Sequence, residues 1–291
     1  MAAVLIDGKQ IAQDIRSGLE NRITALSNNK VQPGLAVILV GEDPASISYV
    51  TAKEKACAEV GIKSFEYKLP DTTTTLELVS LIRKLNENPH VHGILVQLPL
   101  PNHIDEYSVI EAINPSKDVD GFTSINLGNM VLGKDAFIPC TPHGIIKLLE
   151  HTGIQTKGSH AVIVGRSNIV GKPMANLLIR KEINATVTVC HTGTKDIATF
   201  TRNADILIAC AGKPNLITAS MIKPQACVID VGVNRVSAPE SKKGWKLVGD
   251  VNFEEALGVA GFITPVPGGV GPMTITMLLY NTVLAAEKLH G

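Results

Sequence analysis

Residues 161–174, Ala161-Val-Ile-Val-Gly-Arg-Ser-Asn-Ile-Val-Gly-Lys-Pro-Met174, constrain the fold more than any other stretch. Val162, Ile163 and Val164 make a short β-branched run that suits a buried parallel strand. Gly165 turns the chain, Ser167 and Asn168 are small and polar, and Gly171 and Pro173 open a helix. Strand, small-residue turn and helix, in that order, offer backbone N–H groups to a phosphate at a helix N-terminus. The spacing is not G-x-G-x-x-G, because Ser167 takes the place of the middle glycine and Val170 of the last. An ordinary tight βα turn is the plainer alternative.

The same alternation runs through the rest of the chain. Residues 7–26 read as a helix with Ile11, Ile15, Leu19, Ile23 and Leu26 on one stripe. Residues 35–40 are wholly apolar and read as a buried strand. A helix over 45–60 ends at Gly61, and a strand over 64–69 follows. A helix through Leu76, Val79, Ile82 and Leu85 leads to a strand over 93–100. Strands alternating with helices imply parallel βαβ units, and 291 residues favour two domains.

Composition narrows the partners. A formal net charge of +0 gives no support to nucleic acid or an acidic membrane as the main partner. Asp7 interrupts the first apolar run too early for a signal peptide. Tyr280 and Asn281 break the late apolar stretch 273–286, which is too short to span a bilayer. Five cysteines without a C-x-x-C spacing read as free thiols in a reducing cytoplasm. No H-E-x-x-H occurs, and His90 and His92 read as loop residues, so no metal is expected.

Two polar residues stand where apolar ones are expected, and a polar loop follows them. On the helix 45–60, Tyr49 and Lys53 lie one turn apart, and Val50, Ala56, Cys57 and Val60 surround that arc. A lysine amid an apolar face either snorkels to water or is used. Desolvation lowers an ammonium's pKa and makes the amine a usable base. Gln97 interrupts Ile94-Leu-Val-Gln-Leu98 near a strand's C-terminal end, where ligands of open α/β sheets gather. A glutamine satisfied by backbone groups is the alternative. Lys117-Asp-Val-Asp-Gly-Phe122 places two carboxylates around Val119, and a solvated turn is the bland account.

In the second half, the helix 141–150 links the domains. At the end of the strand 186–190, where an NAD site carries an acidic residue for the ribose, the chain has Cys190, His191 and Thr192. Arg166 and Lys195 are candidates to meet a negative charge there, which favours NADP. The loop Val231-Gly-Val-Asn234 is a candidate wall for the nicotinamide. Residues 261–274 concentrate prolines and glycines, including Pro267, Gly268 and Gly269, and read as a stiff ligand wall before a helix. That helix, 274–289, carries few charges and is expected to be largely buried, returning to the first domain.

Taken together these segments resemble the bifunctional methylenetetrahydrofolate dehydrogenase/cyclohydrolase family. The carriers are Tyr49-Val-Thr-Ala-Lys53, Val96-Gln-Leu-Pro-Leu-Pro101, Lys117-Asp-Val-Asp-Gly-Phe122, residues 165–173 and residues 264–274, in that order along nearly the whole chain. The resemblance implies an α/β fold of two domains. Residues 1–139 would form an N-terminal three-layer α/β domain that binds folate, with the helix 274–291 returning to it. Residues 140–273 would form a Rossmann-like NADP domain, with the folate site in the cleft between the two. It also implies a cytoplasmic homodimer acting on tetrahydrofolate derivatives. Among its site residues Lys53 would be catalytic, Tyr49 its stacking neighbour, Gln97 its partner and Asp120 the pterin anchor. Gly165, Arg166, Ser167, Thr192 and Val233 would line the cofactor, and Pro267, Gly268 and Gly269 the substrate. Thr192 stands where some relatives carry serine, and the hydroxyl is kept. The rival readings are a monofunctional dehydrogenase, an NADP oxidoreductase on another small substrate, and an NADP-sensing interaction protein.

Overall fold

The structure is a computed structural model, and it describes residues 2–241 and 244–290. The chain divides into two compact units, one of Gln13–Cys140 with Ile275–Gly291 and one of Met1–Ala12 with Thr141–Thr274. In chain order the elements begin with β1 (Val4–Leu5), α1 (Gly8–Asn28), β2 (Gly34–Val40), α2 (Pro44–Val60), β3 (Lys63–Leu69), α3 (Thr75–Glu87) and β4 (Gly93–Val96). Next come α4 (Glu106–Glu111), α5 (Ser124–Val131), α6 (Cys140–His151), β5 (His160–Val164), α7 (Gly171–Leu178), β6 (Thr186–Cys190), α8 (Ile197–Thr201) and β7 (Ile206–Ala209). The last are β8 (Cys227–Asp230), β9 (Asn234–Ser237), β10 (Trp245–Val248), α9 (Phe253–Ala256), β11 (Phe262–Ile263) and α10 (Val270–His290).

The unit of Gln13–Cys140 and Ile275–Gly291 is built on a three-stranded parallel sheet in the order β3-β2-β4. The central strand β2 is buried along its whole length, which explains its unbroken apolar run. Its side chains alternate between two cores. Leu35, Val37 and Leu39 pack with Leu19 and Ile23 of α1, Val50 and Cys57 of α2, and Met277 and Val283 of α10. Ala36, Ile38 and Val40 pack with Leu78 and Ile82 of α3 and Val109 of α4. Helices on both faces of a sheet make three layers, as expected. Helix α2 starts at Asp43, whose carboxylate accepts from the Ala45 and Ser46 N–H groups, and stops at Gly61 with φ +87°. Its buried residues are Ser46, Val50, Lys53, Ala56, Cys57 and Val60, a stripe at helical spacing with one lysine in it.

The other unit holds a six-stranded sheet in the order β1-β11-β8-β7-β5-β6, every neighbouring pair parallel. The chain runs from β5 out to β6 and then returns to β7 on the other side of β5. That reversal is the topological switch point of a doubly wound sheet. β9 and β10 form a separate antiparallel pair, with Arg235 stacked 4.1 Å from the Trp245 ring centroid.

Three boundaries differ from the sequence reading. Residues 2–12 belong with the six-stranded sheet, because β1 adds to its edge by pairing with β11. The strand expected over 93–100 stops at Val96, so Gln97 is the first residue beyond the strand end. Within residues 261–274 the structure places both β11 and the start of α10, which begins at Val270, four residues before the expected Thr274. Lys242, Lys243 and the terminal Met1 and Gly291 of the expected domains lie outside the described residues.

Candidate active site

In the unit built on β2, three segments bring the predicted residues together. Helix α2 presents Tyr49 and Lys53, Gln97 directly follows β4, and the loop between α4 and α5 presents Asp120. Lys53 is 8% exposed, and its Nζ donates to Gln97 Oε1 at 2.9 Å. Gln97 Nε2 donates to the Leu98 carbonyl at 2.6 Å, which turns the amide oxygen toward the lysine. Burial lowers the Lys53 ammonium below its ordinary value, and the Asp120 carboxylate pulls it part of the way back. Burial likewise raises Asp120, while Lys53 opposes the rise. The pair is thus pushed from both sides toward neutrality. Tyr49 is 37% exposed, and partial burial raises its phenol.

The two carboxylates around Val119 have separate tasks. Asp118 is 1% exposed and accepts from the Gly121, Phe122 and Thr123 N–H groups, the Thr123 hydroxyl and Asn126 Nδ2. It is the knot of its own loop. Asp120 is left to face Lys53. Gly121 has φ +74°, and a Cβ there would meet the Phe137 carbonyl at 2.6 Å, so the loop needs a glycine. Lys117 is also structural, its Nζ donating to the Asn88 carbonyl at 2.8 Å.

Sequence reading missed two residues beside this group. The Cys140 thiol hydrogen-bonds with Asp120 and also reaches the Val119 carbonyl at 3.3 Å, and burial holds it well above its usual range. Asn281 of α10 donates to the carbonyls of Val119 at 2.8 Å and Ile138 at 3.1 Å. Its signal was an asparagine in the middle of an apolar helix. His92 uses its ring nitrogens on the Gly34 N–H and on His290, at 3.0 Å each.

In the other unit the expected cofactor residues gather at the carboxyl edge of the parallel sheet. Val164, Cys190 and Ala209 are register partners, and Ala209 is partner to Asp230. Gly165–Ser167, Thr192 and Val233 therefore leave neighbouring strand ends. Gly165 has φ +143°, and a Cβ on it would collide with Cys210. A Cβ on Gly171 would collide with the Gly165 carbonyl, so turn and helix touch backbone to backbone. Ser167 Oγ accepts from the Val170 and Gly171 N–H groups at 3.2 and 3.4 Å, so it serves the helix start itself. Arg166, Ser167, Asn168, Thr192 and Lys195 are exposed. This bare turn, open to solvent and rimmed by two cations, fits a phosphorylated dinucleotide. Pro267, Gly268 and Gly269 follow β11 in the same unit. Gly268 has φ +116°, and a Cβ on Gly269 would meet Thr264 at 2.6 Å.

A doubly wound sheet with a phosphate-ready turn, carried on one chain with a desolvated lysine facing a carboxylate, defines a nicotinamide-dependent enzyme with its own acid–base group. Family models described as the tetrahydrofolate dehydrogenase/cyclohydrolase catalytic domain and NAD(P)-binding domain match residues 6–120 and 139–290. The bifunctional protein FolD of Brevibacillus brevis is 57% identical over 288 residues, 99% of each chain. The Campylobacter jejuni FolD methylenetetrahydrofolate dehydrogenase/cyclohydrolase structure is 50% identical, covers 99% of both chains and has a TM-score of 0.93. A Trypanosoma brucei FolD structure complexed with NADP cofactor and inhibitor is 39% identical, with a TM-score of 0.95 over 99% of this chain and 98% of that one. The chain belongs to the tetrahydrofolate dehydrogenase/cyclohydrolase family. It is a bifunctional one-carbon folate enzyme that uses NADP. Among the described residues no helix is long and apolar enough to cross a membrane.

Proposed function

We propose that Lys53, Tyr49, Gln97 and Asp120 carry the folate chemistry, and that Gly165, Arg166, Ser167, Thr192 and Val233 hold NADP. The reactions are oxidation of 5,10-methylenetetrahydrofolate to the methenyl cation and its hydrolysis to 10-formyltetrahydrofolate. The supporting observation is the buried Lys53 Nζ, held 2.9 Å from Gln97 Oε1 and facing Asp120.

NADP, when bound, supplies the hydride acceptor. For that step the folate residues have only to bind and orient the substrate, because its own nitrogen lone pairs expel the hydride. Asp120 accepts hydrogen bonds from the pterin's amino and ring N–H groups, and its charge offsets the methenyl cation. Tyr49 stacks on that cation. For hydrolysis, the neutral Lys53 amine takes a proton from water as the oxygen adds to the methenyl carbon. It then returns a proton to the ring nitrogen as the C–N bond breaks, and the hydroxyl proton leaves to solvent. A neutral amine also avoids repelling the cation. Gln97 keeps the amine aimed. The stiff turn at Pro267, Gly268 and Gly269 is assigned to the substrate.

Two further assignments belong here. Five free thiols, four of them buried, support a reducing cytoplasmic setting. We assign a homodimer that needs no nucleic acid. Light scattering should give about twice the 30.9 kDa chain mass. The test of the main reading is absorbance of the methenyl product. With methylenetetrahydrofolate and NADP the signal should rise and then decay. A rise without enzyme-dependent decay would leave only a dehydrogenase.

A further inference from the structure

Two carboxylates in the nucleotide-type unit have no place in the chemistry above. Asp230, at the end of β8, is 3% exposed, and Asp250, just after β10, is 0% exposed. Among the described residues neither makes a salt bridge. Two buried like charges without a cation are costly, and a fold keeps them only where they are well bonded.

Backbone N–H groups supply that bonding. Asp250 Oδ2 accepts from the Ala211 and Gly212 N–H groups at 2.6 and 2.8 Å, and its Oδ1 accepts from Asn234 Nδ2 at 2.9 Å. Asp230 Oδ1 accepts from the Gly232 and Asp250 N–H groups at 3.0 and 2.8 Å, and its Oδ2 from the Val251 N–H at 2.9 Å. The Asp230 N–H in turn donates to Thr264 Oγ1 at 2.8 Å. Gly232 and Gly249 make room, since a Cβ on either would run into one of the two carboxylates. The groups fastened this way are the segment after β7, which abuts Gly165 through Cys210, and the loop 231–234 after β8.

We propose that Asp230 and Asp250 are positioning residues that splint these two loops into one preorganised floor for the cofactor, Asp250 holding the loop after β7 and Asp230 the loop after β8. This rests on the cofactor assignment made above. The splint requires acceptors only. Protonation of Asp230 would place an O–H against the one N–H at Oδ2 or the two at Oδ1, and at least one hydrogen bond would be weakened or lost. The titratable group that faces Asp230 is Asp250, with the Cys210 thiol beside Asp250. Burial pushes Asp230 up to about 6, inside the range where the enzyme can be assayed.

The experiment is calorimetric titration of NADP into the full-length protein between pH 8 and 5.5, with wild type, Asp230→Asn and Asp250→Asn. NADP-independent ring opening of added methenyltetrahydrofolate reports that each variant is folded. In wild type the affinity should fall as the pH drops through about 6. Asp230→Asn should bind more weakly and keep only the shallower pH dependence that comes from titration of NADP's own 2′-phosphate, and Asp250→Asn should lose about tenfold or more in affinity, the scale of one charge-assisted hydrogen bond. Wild-type affinity in folded Asp250→Asn, or the same pH dependence in Asp230→Asn, would overturn the proposal. Should Asp250→Asn lose ring opening as well, Asn234→Ala decides by the same readout, with weaker binding expected and unchanged binding contradicting. Failure of wild type to bind NADP would instead refute the cofactor assignment.

Discussion

The two units solve the problem of buried charge in opposite ways. In one, Lys53 and Asp120 compensate each other, and burial moves each toward its neutral form. In the other, Asp230 and Asp250 are held by backbone N–H groups, which at Asp230 offset only part of the cost of burial. A pair of opposite sign can exchange protons with a substrate at little cost, because neutral and ionised forms lie close together. A carboxylate clamped by several N–H groups is a fixed acceptor and holds backbone in place. The first arrangement suits chemistry and the second suits positioning.

Linkage makes the difference measurable. Lys53 has its folded pKa lowered, so the unfolded chain binds more protons and this group favours folding increasingly as pH rises toward the ordinary lysine value. Asp230 has its folded pKa raised to about 6, so its contribution is fully present below the ordinary carboxylate value and is lost as pH rises through about 6. Near neutral pH the ionised form of each group is disfavoured by folding, at opposite ends of the scale.

The largest expected effect comes from removing the positive half of the first pair. Lys53→Met should cut ring opening by about a thousandfold, the scale of general acid–base catalysis, while hydride transfer stays measurable. Retained ring opening would show that the lysine is only structural. Removing the negative half is milder. Asp120→Asn should raise the folate KM about 10–100-fold, as expected for losing charge-assisted hydrogen bonds. It should also shift the rising limb of the ring-opening pH profile to lower pH, because Asp120 is what pulls Lys53 back up. An unmoved limb would separate the two groups electrostatically. On the cofactor side, Arg166→Ala should weaken NADP about tenfold and NAD much less. Equal losses would mean that the arginine meets the shared pyrophosphate, or nothing. The smallest effect tests how tightly the second centre is caged. Gly249→Ala, whose Cβ would strike Asp230, should lower stability by about 1–3 kcal/mol in a denaturant melt. No loss would mean that the cage is loose.

The same contrast governs what was legible in the chain. Lys53 announced itself because a charge broke an apolar helical stripe, and the period of α2 fixed its face. The alternation of buried strands and helices was readable because both faces of each central strand are covered. Asp230 stayed hidden because Cys227-Val-Ile-Asp-Val-Gly-Val233 reads as one apolar strand ending in a glycine, and its partners are backbone N–H groups that no side-chain pattern records. The edge strand β1 was hidden for a related reason. Two residues pairing with β11 are too few to show a period, and that pairing draws the first residues into the second sheet. The residue pattern alone did not separate Asp118 from Asp120; the resemblance singled out Asp120, and the loop's hydrogen bonds show what Asp118 does instead.

The claim on which the rest depends is that the Lys53 amine is stripped of water and coupled to Asp120. The direct measurement is an NMR titration of the Lys53 side-chain nitrogen in wild type and Asp120→Asn. The account requires a midpoint below the ordinary lysine value in wild type and a lower one still in the variant. A midpoint at the ordinary value, unchanged by the substitution, would contradict it.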